Sequence, residues 1–458
     1  VMGDVKKICY YVNGEFKESK SGEYRDAFDP STGRVIAKVP CCTKEEVEEA
    51  IASAKAAFPA WSSTPVLKRV QILYRLRDLL IEHMDELTHL VALENGKAWE
   101  EAKGDVLKAK EGTEQAISAP SLMMGESMMD ASLGYDTVLY REPLGVFAGI
   151  VPFNFPAMIP MGWMTPMCIA CGNTIVLKAA SFTPQSCMRI AKLYKEAGLP
   201  DGVINIVTCS RHEAELFLEH PDIKGITFVG STSVGMHIYS TAAAHGKRVQ
   251  ALCEAKNHAL VLDDAPVKRV AAGIINSAFG CAGERCMALP VVVVQEGIAD
   301  RLVEEIVNQA RKLTVGPAYD KSFKLGPVIN EEHKKSVIAW IEKGLEEGAV
   351  MALDGRDVTV PGYEHGFYLG PTILDHVKPG VGDTEIFGPV LCIKRVKTFE
   401  EGLEIMNSNP FANGSVIFTQ NGHYAREFAR HTDGGMVGIN VGIPVPVGMF
   451  PFSGHKKS

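Results

Sequence analysis

Hydrophobic and polar positions follow two different periods along the first part of the chain. Short alternating runs at residues 10–39 are interrupted by turn signals rich in Asn, Gly and Pro, which is typical of small β structure. Thr43 and Glu46 then form the sequence of a capping box, and apolar positions recur at helical spacing through residues 44–119. The pattern therefore predicts a short β segment followed by a layer of helices.

From residue 135 onward, strand-like and helix-like segments alternate. The predicted order is β structure at 135–150, strand 174–177, helix 183–197, strand 203–207 and strand 225–229. After an extended stretch at 249–261 the alternation resumes with helix 267–279, strand 290–294 and helix 297–313. Such alternation is typical of doubly wound parallel sheets with helices on both faces.

Composition excludes several function classes. The 458 residues are 46% hydrophobic and 22% charged, with a formal net charge of −8 and no basic stripe, so we expect no nucleic-acid partner. A run of about 18 uncharged apolar residues is missing from the sequence, so we expect no membrane partner. Eleven scattered cysteines, an odd number, favour a reducing compartment and a cytoplasmic location.

One cysteine pair has the spacing of a redox or metal motif. Cys168 and Cys171 are separated by two residues, but a second such pair is missing and the surrounding stretch is apolar and helical. We interpret both as packing residues and expect no metal site.

A different cysteine has the neighbours of a nucleophile. Cys286 follows the small residues 280–283, Gly-Cys-Ala-Gly, and stands next to Arg285. Small neighbours let a substrate reach sulfur, and a guanidinium favours the thiolate that attacks a carbonyl. A buried structural cysteine is the alternative that this segment alone leaves open.

Two further segments are suited to binding. Asn154 lies in Val151-Pro-Phe-Asn-Phe-Pro after a predicted strand, where its amide can donate to an oxyanion or satisfy a turn. Gly230 and Ser231 lie between a predicted strand and a helix start, an arrangement that presents N–H groups to phosphate but lacks the GxGxxG fingerprint. Lys178 directly follows a predicted strand, where doubly wound sheets bind ligands, although a surface lysine is equally compatible.

These segments, in this order and together with residues 385–390, Glu-Ile-Phe-Gly-Pro-Val, resemble the aldehyde dehydrogenase superfamily over nearly the whole chain. The resemblance implies that hydride passes from a thiohemiacetal on Cys286 to NAD and leaves a thioester. It implies that Asn154 and the backbone amide of Cys286 hold the oxyanion. The implied cofactor contacts are Val151, Phe153, Lys178, Ser181, Phe182, Gly230, Ser231, Glu385 on the nicotinamide ribose, and Phe387 beside the ring.

The resemblance also implies the domain organisation. We expect an α/β protein with a doubly wound parallel-sheet cofactor domain, a second α/β catalytic domain and a small β oligomerisation element. The dinucleotide-binding domain is assigned to 1–134 and 148–254, the catalytic domain to 255–427, and the oligomerisation element with its return segment to 135–147 and 428–458. A homodimer or homotetramer is expected.

The sequence departs from the family at the residue that activates water. Most members carry a glutamate where this chain has Leu252, and leucine cannot take a proton from water. The methylmalonate-semialdehyde dehydrogenase branch also lacks that glutamate and releases its acyl group to coenzyme A. Its Ala-Lys-Asn-His and Arg-Cys-Met-Ala-Leu segments appear unchanged at 255–258 and 285–289. We therefore predict an acylating enzyme that uses coenzyme A as co-substrate.

Substrates of that branch carry a carboxylate. Arg285 is a suitable partner because guanidinium matches a carboxylate bidentately, although a structural ion pair is the alternative. A second arginine of the branch aligns with Lys108, which offers a point charge instead of a fork. The predicted substrate is a small carboxylated semialdehyde.

Two other departures leave alternatives open. Glu254 stands where the branch has glycine and, on an extended strand, would share a face with Leu252, so it is a candidate displaced base for hydrolysis. Ser181 stands where the family has a glutamate that binds the adenosine ribose and disfavours a 2′-phosphate. With that carboxylate gone, Lys178 can pair with the phosphate, so NADP is a possible second cofactor.

Three hypotheses follow from the sequence. They are an acylating semialdehyde dehydrogenase, a hydrolytic aldehyde dehydrogenase that releases the free acid, and a catalytically silent member with a binding or structural role. The hypothesis of a catalytically silent member predicts that the nucleophile, the oxyanion donor or the ribose contact is replaced. Cys286, Asn154 and Glu385 are all present in the sequence.

Overall fold

The computed structural model describes residues 3–445 and 447–458 and divides the chain into two compact units. The first consists of Val1–Ala27, Val35–Glu94 and Lys103–Ala251, and the second of Phe28–Arg34, Asn95–Ala102 and Leu252–Ser458. Two short segments of the N-terminal half, 28–34 and 95–102, thus pack with the second unit, whereas the sequence pattern groups them with the cofactor domain.

The elements up to residue 252 build mainly the first unit. The strands are β1 (Lys6–Lys7), β2 (Tyr10–Val12), β3 (Glu15–Lys17), β4 (Tyr24–Asp29), β5 (Arg34–Pro40), β6 (Glu126–Ser132), β7 (Tyr135–Leu139), β8 (Val146–Ile150), β9 (Thr174–Lys178), β10 (Ile204–Val207), β11 (Ile223–Val229) and β12 (Arg248–Leu252). The helices are α1 (Lys44–Ser63), α2 (Val66–Glu82), α3 (Met84–Asn95), α4 (Trp99–Ala116), α5 (Ala119–Leu122), α6 (Pro166–Ala170), α7 (Gln185–Glu196), α8 (Arg211–Glu219) and α9 (Thr232–Ala244). A π-helical turn, Ile159–Met164, precedes α6.

The main sheet of the first unit has the order β12-β11-β8-β9-β10-β2-β3. Strands β8, β9, β10 and β11 are parallel, and the central residues of β9, Ile175, Val176 and Leu177, are apolar and fully buried. The chain moves outward from β8 to β9 and β10, and then returns to place β11 on the other side of β8. That reversal creates a switch point at the carboxyl ends of β8 and β11, where doubly wound sheets bind ligands.

Local sequence signals account for several element boundaries. The Thr43 side chain accepts from the backbone N–H of Glu46 and the Glu46 carboxylate accepts from the Thr43 N–H, so the predicted capping box starts α1. Asn13 and Gly14 both have positive φ and connect β2 to β3 as a tight hairpin. Helix α1 then packs against β9 and β10, which covers one face of the main sheet.

The elements after residue 252 build the second unit. The strands are β13 (His258–Val261), β14 (Val291–Gln295), β15 (Val350–Leu353), β16 (Thr372–Asp375), β17 (Val390–Val396), β18 (Phe411–Ala412), β19 (Gly414–Phe418), β20 (Met436–Ile439) and β21 (His455–Lys456). The helices are α10 (Val267–Phe279), α11 (Glu296–Ala310), α12 (Glu331–Glu346), α13 (Phe399–Asn407) and α14 (Gly422–His431). A 3-10 turn, Gly280–Gly283, follows α10.

The second unit is built on a seven-stranded sheet of order β15-β16-β17-β14-β13-β19-β20. All neighbouring pairs from β16 to β20 are parallel, and only the edge strand β15 is antiparallel. Apolar side chains of α10 and α11 cover one face, while those of α12 and α13 cover the other. The predicted second α/β unit, with buried Val-rich strands such as β14, is confirmed.

Strands β6 and β7 form a separate antiparallel hairpin in which every residue is exposed. It presents large apolar side chains to solvent, including Met129, Leu133 and Tyr135. The sequence pattern predicts β7 within its strand-like stretch but not β6. Within the described ranges, no helix is long and apolar enough to cross a bilayer.

Two glycines of helix α4 provide a test of its packing. A methyl group at Gly112 would lie 2.1 Å from the carbonyl oxygen of Gly162, whereas one at Gly104 would meet nothing within 4 Å. We expect Gly112→Ala to lower the free energy of unfolding by about 1–3 kcal/mol through overpacking. Gly104→Ala on the same helix should instead raise it by roughly 0.5–1 kcal/mol.

Urea unfolding of both variants beside the wild type measures the two changes. Equal effects of the two substitutions would show that the approach of α4 to Gly162 is looser than described.

Candidate active site

Cys286 follows a strained turn in the second unit. After α10, Cys281 and Ala282 both have φ 55° and Gly283 has φ 75°, so three successive residues are left-handed. A methyl group at Gly283 would lie 2.0 Å from the carbonyl oxygen of Gly388, which leaves room only for glycine. Left-handed non-glycine residues cost roughly 1–3 kcal/mol each and persist where surrounding contacts hold them. The turn therefore fixes the direction of the backbone that leads to Cys286.

Two buried amides hold the backbone of the cysteine. Asn257 Nδ2 and Asn413 Nδ2 donate to the Cys286 carbonyl oxygen at 2.7 and 3.0 Å. Asn257 Nδ2 also donates to the carbonyl of Ala288 at 2.6 Å, and its Oδ1 accepts from the Gly414 N–H at 2.7 Å. The sequence pattern missed both residues as site residues. Asn257 lies in the Ala-Lys-Asn-His segment that carries the family resemblance, so the sequence could have identified it. No motif in the sequence marks Asn413.

The residues around Cys286 share one edge of the sheet. Asn257 directly precedes β13, Asn413 directly precedes β19, and Cys286 itself precedes β14. Glu385 and Phe387 lie in the loop before β17. Because these four strands are parallel neighbours, the amino ends of the second unit's strands assemble the nucleophile's surroundings.

Glu385 and Phe387 lie beside Cys286, and the sequence predicts all three residues in the same site. A small cavity of about 20 Å³ is lined by Cys286, Glu385 and Phe387 among others. Glu385 Oε1 accepts from the backbone N–H of Ala255 at 3.3 Å, and the Phe387 carbonyl accepts from His333 Nε2 at 2.6 Å. Burial raises the pKa of Glu385 to about 8, with the neighbouring charge of Glu254 as the next cause.

The surroundings of Cys286 favour its protonated thiol form. Burial, followed by the charge of Glu385, raises the pKa of Cys286 to about 12. Arg285 lowers the pKa, as the sequence pattern predicts, but its effect is smaller than the cost of removing the sulfur from water. The direction of the Arg285 effect is thus the predicted one, whereas the larger effect of burial depends on the fold and is not visible in the sequence.

The guanidinium of Arg285 is tied to helix α10. Its Nη2 donates to the backbone carbonyls of Asn276 and Ser277 at 3.0 and 2.9 Å, which satisfies acceptors at the end of that helix. Arg285 Nε is buried and has no hydrogen-bond partner among the described residues. The residue thus has a structural task, and its role as a substrate partner stays a prediction.

Two other candidates have definite local surroundings. Lys108 lies on α4 and pairs with Glu111 on the same helix at 2.8 Å, with 40% of its side chain exposed. Strand β12 ends at Leu252, so Glu254 lies in the loop between β12 and β13 and not in a strand. Its position on the same face as Leu252 stays a prediction.

In the first unit, the predicted oxyanion donor lies in a loop that follows β8. Asn154 is 3% exposed, and its Oδ1 has no hydrogen-bond partner in the parts of the chain that are described. The Val151 N–H donates to the Lys178 carbonyl at 3.1 Å, and Thr183 Oγ1 donates to the Phe153 carbonyl at 3.3 Å. The loop is therefore tied to the carboxyl end of β9 and to the turn that carries Ser181 and Phe182.

A second cavity opens at the carboxyl ends of β8 and β9, again within the first unit. It measures about 180 Å³ and is lined by Ile150, Lys178, Arg211, Ala214, Glu215, Leu218, Val234, His237 and Ile238. Its walls between α8 and α9 are mainly aliphatic, with two cations among the lining residues. Apolar walls with a few polar and charged groups are typical of small-molecule sites. The sequence pattern found Lys178 but missed Arg211.

The glycine turn after β11 lies close to this cavity. Gly230 precedes Ser231, which is the N-cap residue of α9 with extended backbone. The Ser231 side chain makes no capping hydrogen bond, so the N–H groups of the first turn of α9 lack that side-chain acceptor. A phosphate is one group that such N–H groups bind. In the described residues, no group of three His, Cys, Asp or Glu is arranged to hold a metal ion.

Comparisons with known proteins agree with this arrangement. The sequence profile of the Aldehyde dehydrogenase family matches residues 16–458. Malonate-semialdehyde dehydrogenase 2 of Geobacillus kaustophilus (strain HTA426) is 49% identical over 457 residues, which is 99% of this chain and 94% of that protein. This chain belongs to the aldehyde dehydrogenase family.

Solved structures of aldehyde dehydrogenases have the same fold as this enzyme. A Sinorhizobium meliloti 1021 protein classed as a methylmalonate-semialdehyde dehydrogenase, in complex with NAD, has a TM-score of 0.97 and 39% identity, covering 99% of this chain and 93% of that one. Methylmalonate-semialdehyde dehydrogenase of Oceanimonas doudoroffii has a TM-score of 0.97 and 41% identity, with the same coverage. The predicted fold class, the family and the similarity to this branch are confirmed.

The raised pKa of Cys286 gives a test on the purified dehydrogenase. We expect alkylation of Cys286 by iodoacetamide to be slow at pH 7 and to rise about tenfold per pH unit up to pH 10, because only the thiolate reacts. Glu385→Gln removes a negative charge that opposes thiolate formation, so its alkylation at pH 9 should be several-fold faster. Mass spectrometry of the peptide containing Cys286 measures both rates.

A rate that levels off below pH 9 in the wild type would contradict the described burial of the sulfur. An unchanged rate in Glu385→Gln would remove Glu385 as a cause of the shift.

Proposed function

We propose that this aldehyde dehydrogenase oxidises a small carboxylated semialdehyde of the malonate type and transfers the acyl group from Cys286 to coenzyme A. The observation that carries the proposal is Leu252, an aliphatic side chain where most of the family has the residue that activates water. The names of the relatives at 49% identity support the choice of substrate. NAD is the proposed cofactor, and the complex of the Sinorhizobium meliloti relative supports it.

The reaction starts with deprotonation of the thiol. Glu385, which lines the same small cavity as Cys286 and has a pKa of about 8, is suited to receive that proton. The sulfur then forms a bond to the aldehyde carbon, and negative charge develops on the carbonyl oxygen. Two donors proposed from the family resemblance, Asn154 Nδ2 and the Cys286 N–H, stabilise that charge.

Oxidation turns this adduct into a thioester. When bound, NAD supplies the acceptor for the hydride that leaves the former aldehyde carbon. Asn257 and Asn413 hold the Cys286 carbonyl throughout, so the sulfur keeps its position while its substituent changes from tetrahedral to planar. The thiolate of coenzyme A then attacks the thioester carbon, the bond to Cys286 breaks, and the acyl group leaves as a coenzyme A thioester.

Two cations are proposed to recognise the carboxylate of the substrate. Arg285 lines the small cavity beside Cys286, and Lys108 lies on the partly exposed face of α4. Both already have protein partners, in backbone carbonyls and Glu111 respectively. In Arg285 these contacts involve Nη2, and Nε has no hydrogen-bond partner among the described residues, so part of the guanidinium is available to a substrate carboxylate.

We further propose that the enzyme is a homo-oligomer, a dimer or a tetramer, that pairs through the exposed hairpin of β6 and β7. An isolated two-stranded hairpin is marginal in water, and this one exposes Met129, Leu133 and Tyr135. A second copy of the chain that covers these side chains would stabilise it.

Dependence on coenzyme A tests the proposed acceptor. With malonate semialdehyde and NAD, we expect steady-state NADH formation to rise at least tenfold when coenzyme A is added, and a coenzyme A thioester to accumulate in equal amount. Without coenzyme A, a single burst of about one NADH per site should be followed by slow turnover, because the thioester waits for an acceptor.

Cys286→Ala is the control for this experiment. The variant should bind the dinucleotide and form no NADH under either condition. A steady-state rate independent of coenzyme A would assign the enzyme to the hydrolytic class, and full turnover by Cys286→Ala would reject the nucleophile.

The hydrolytic alternative has one specific observation in its favour, which is the charge of Glu254 next to Glu385. On the acylating proposal, Glu254→Gln should leave the slow hydrolysis of the thioester unchanged without coenzyme A. Leu252→Glu, which restores a carboxylate at the family position, should accelerate hydrolysis by about tenfold or more. Single-turnover release of the free acid, followed by quenched-flow chromatography, measures both rates.

A clear drop in hydrolysis for Glu254→Gln would instead identify Glu254 as a displaced base. In that case free acid becomes the expected product.

A further inference from the structure

The left-handed turn before Cys286 persists only if other groups hold it. Cys281 and Ala282 both have φ 55°, and neither is a glycine. Residues in this conformation cost roughly 1–3 kcal/mol each and are kept where the surroundings determine them. Within the turn, the Glu284 N–H donates to the Cys281 carbonyl at 3.0 Å. The backbone N–H of Cys281 finds its partner in a distant part of the sequence.

That partner is Glu101, on helix α4. Glu101 Oε2 accepts a hydrogen bond from the backbone N–H of Cys281, although the two residues are 180 positions apart in the chain. Both belong to the second unit, because the segment Asn95–Ala102 packs there while most of the N-terminal half builds the first unit. This segment therefore brings a carboxylate to the turn that leads to the cysteine.

Several groups favour the charged form of Glu101. Burial raises the pKa of its carboxyl group, whereas the hydrogen bond to Cys281 and the charges of Arg285 and Lys97 lower it. Glu101 also lies in the first turn of α4, where the helix dipole stabilises a negative charge. Its carboxylate thus interacts with the backbone of the turn and with the guanidinium of Arg285, the residue directly before Cys286.

The segment that carries Glu101 is itself fixed at its start. Asn95 Oδ1 accepts from the Lys97 N–H at 3.2 Å, and Gly96 has φ 93°. A methyl group at Gly326 would lie 2.0 Å from the Gly96 carbonyl oxygen, so the two main chains are in direct contact. A carboxylate on a helix that starts from such a fixed point resists displacement of the turn that it binds.

We propose that Glu101 is a positioning residue for the reaction at Cys286, because its carboxylate holds the left-handed turn through the backbone N–H of Cys281. The proposal rests on the proposed function in that Cys286 is the nucleophile. Glu101 acts through the turn and not by contact with the aldehyde or the dinucleotide. Without this acceptor the Cys281 peptide can rotate, and the sulfur is displaced from the aldehyde carbon. A displacement of about 1 Å can slow a reaction by about a hundredfold.

The burst of NADH formation from malonate semialdehyde is the first test. Glu101→Met fills a similar volume but offers no oxygen acceptor, whereas Glu101→Gln keeps one. Glu100→Gln, at the preceding and exposed position of α4, is the matched control. We expect the burst to slow at least tenfold in Glu101→Met and to stay within about threefold of the wild type in the two glutamine variants.

Alkylation by iodoacetamide at pH 9 reports on the sulfur without any turnover. A relaxed turn admits water to Cys286 and lowers the pKa of its thiol, so this residue should be alkylated several-fold faster in Glu101→Met than in the wild type. Cys392, fully buried on β17 of the same unit, is the internal control and should stay unmodified. Slower hydride transfer with faster alkylation of Cys286 alone distinguishes a displaced sulfur from a general loss of structure.

Three results would overturn the proposal: a burst at the wild-type rate in Glu101→Met, equal losses in Glu101→Met and Glu101→Gln, or parallel alkylation of Cys286 and Cys392. If Glu101→Met does not fold, Glu101→Asp, whose carboxylate is one methylene shorter, replaces it with the same expected signs and smaller changes. A wild type that gives no NADH burst contradicts the proposed function instead, and the alkylation of Cys286 then still tests the position of the sulfur.

Discussion

The candidate site of the second unit depends on one backbone carbonyl, that of Cys286, which accepts from two buried asparagine amides. A buried amide that loses its acceptor costs roughly 1–3 kcal/mol, so the two donors resist any rotation of that peptide. The turn of three left-handed residues before Cys286 also resists rotation, because Gly283 lies against the backbone of Gly388. The sulfur is therefore positioned by contacts to the main chain of Cys286 and of the turn before it. These contacts do not involve the side chains next to Cys286 in the sequence.

The contacts that position Cys286 differ from those that set the pKa of its thiol. Burial that keeps the sulfur fixed also raises the pKa of its thiol, and the carboxylate of Glu385 raises it further. The same carboxylate has a pKa of about 8, so it can exchange a proton with its surroundings near neutral pH. The buried Cys286 thiol thus shares a small cavity with a carboxyl group that changes its protonation state near neutral pH.

Much of the fold could be predicted from the sequence because its signals are local. The capping box of α1 and the apolar strand β14 are each encoded within a few consecutive residues, so both can be predicted directly from the sequence. Strand β6 was missed because its sequence, Glu-Ser-Met-Met-Asp-Ala-Ser, lacks an apolar alternation. The assignment of 95–102 to the second unit depends on tertiary packing that no local period encodes.

The site shows the same limit. Cys286 and Glu385 were found through segments with a family resemblance, but Asn413 lies 127 positions from the cysteine it holds and has no distinctive neighbours. Arg285 was correctly seen as a charge beside sulfur, yet the loss of water around the thiol has the larger effect and depends on folding. Arg211 was missed for a similar reason, since only the fold brings the start of α8 to the end of β9.

The contact between Gly283 and Gly388 has a mechanical consequence. The two glycines belong to different loops, one leading to the sulfur and the other carrying Glu385 and Phe387, and their main chains meet without side chains between them. Atoms in such direct contact cannot absorb a displacement through a change of rotamer. A movement of one loop is therefore transmitted to the other, so that displacement of the segment carrying Glu385 and reorientation of the Cys286 thiol form a single coupled coordinate.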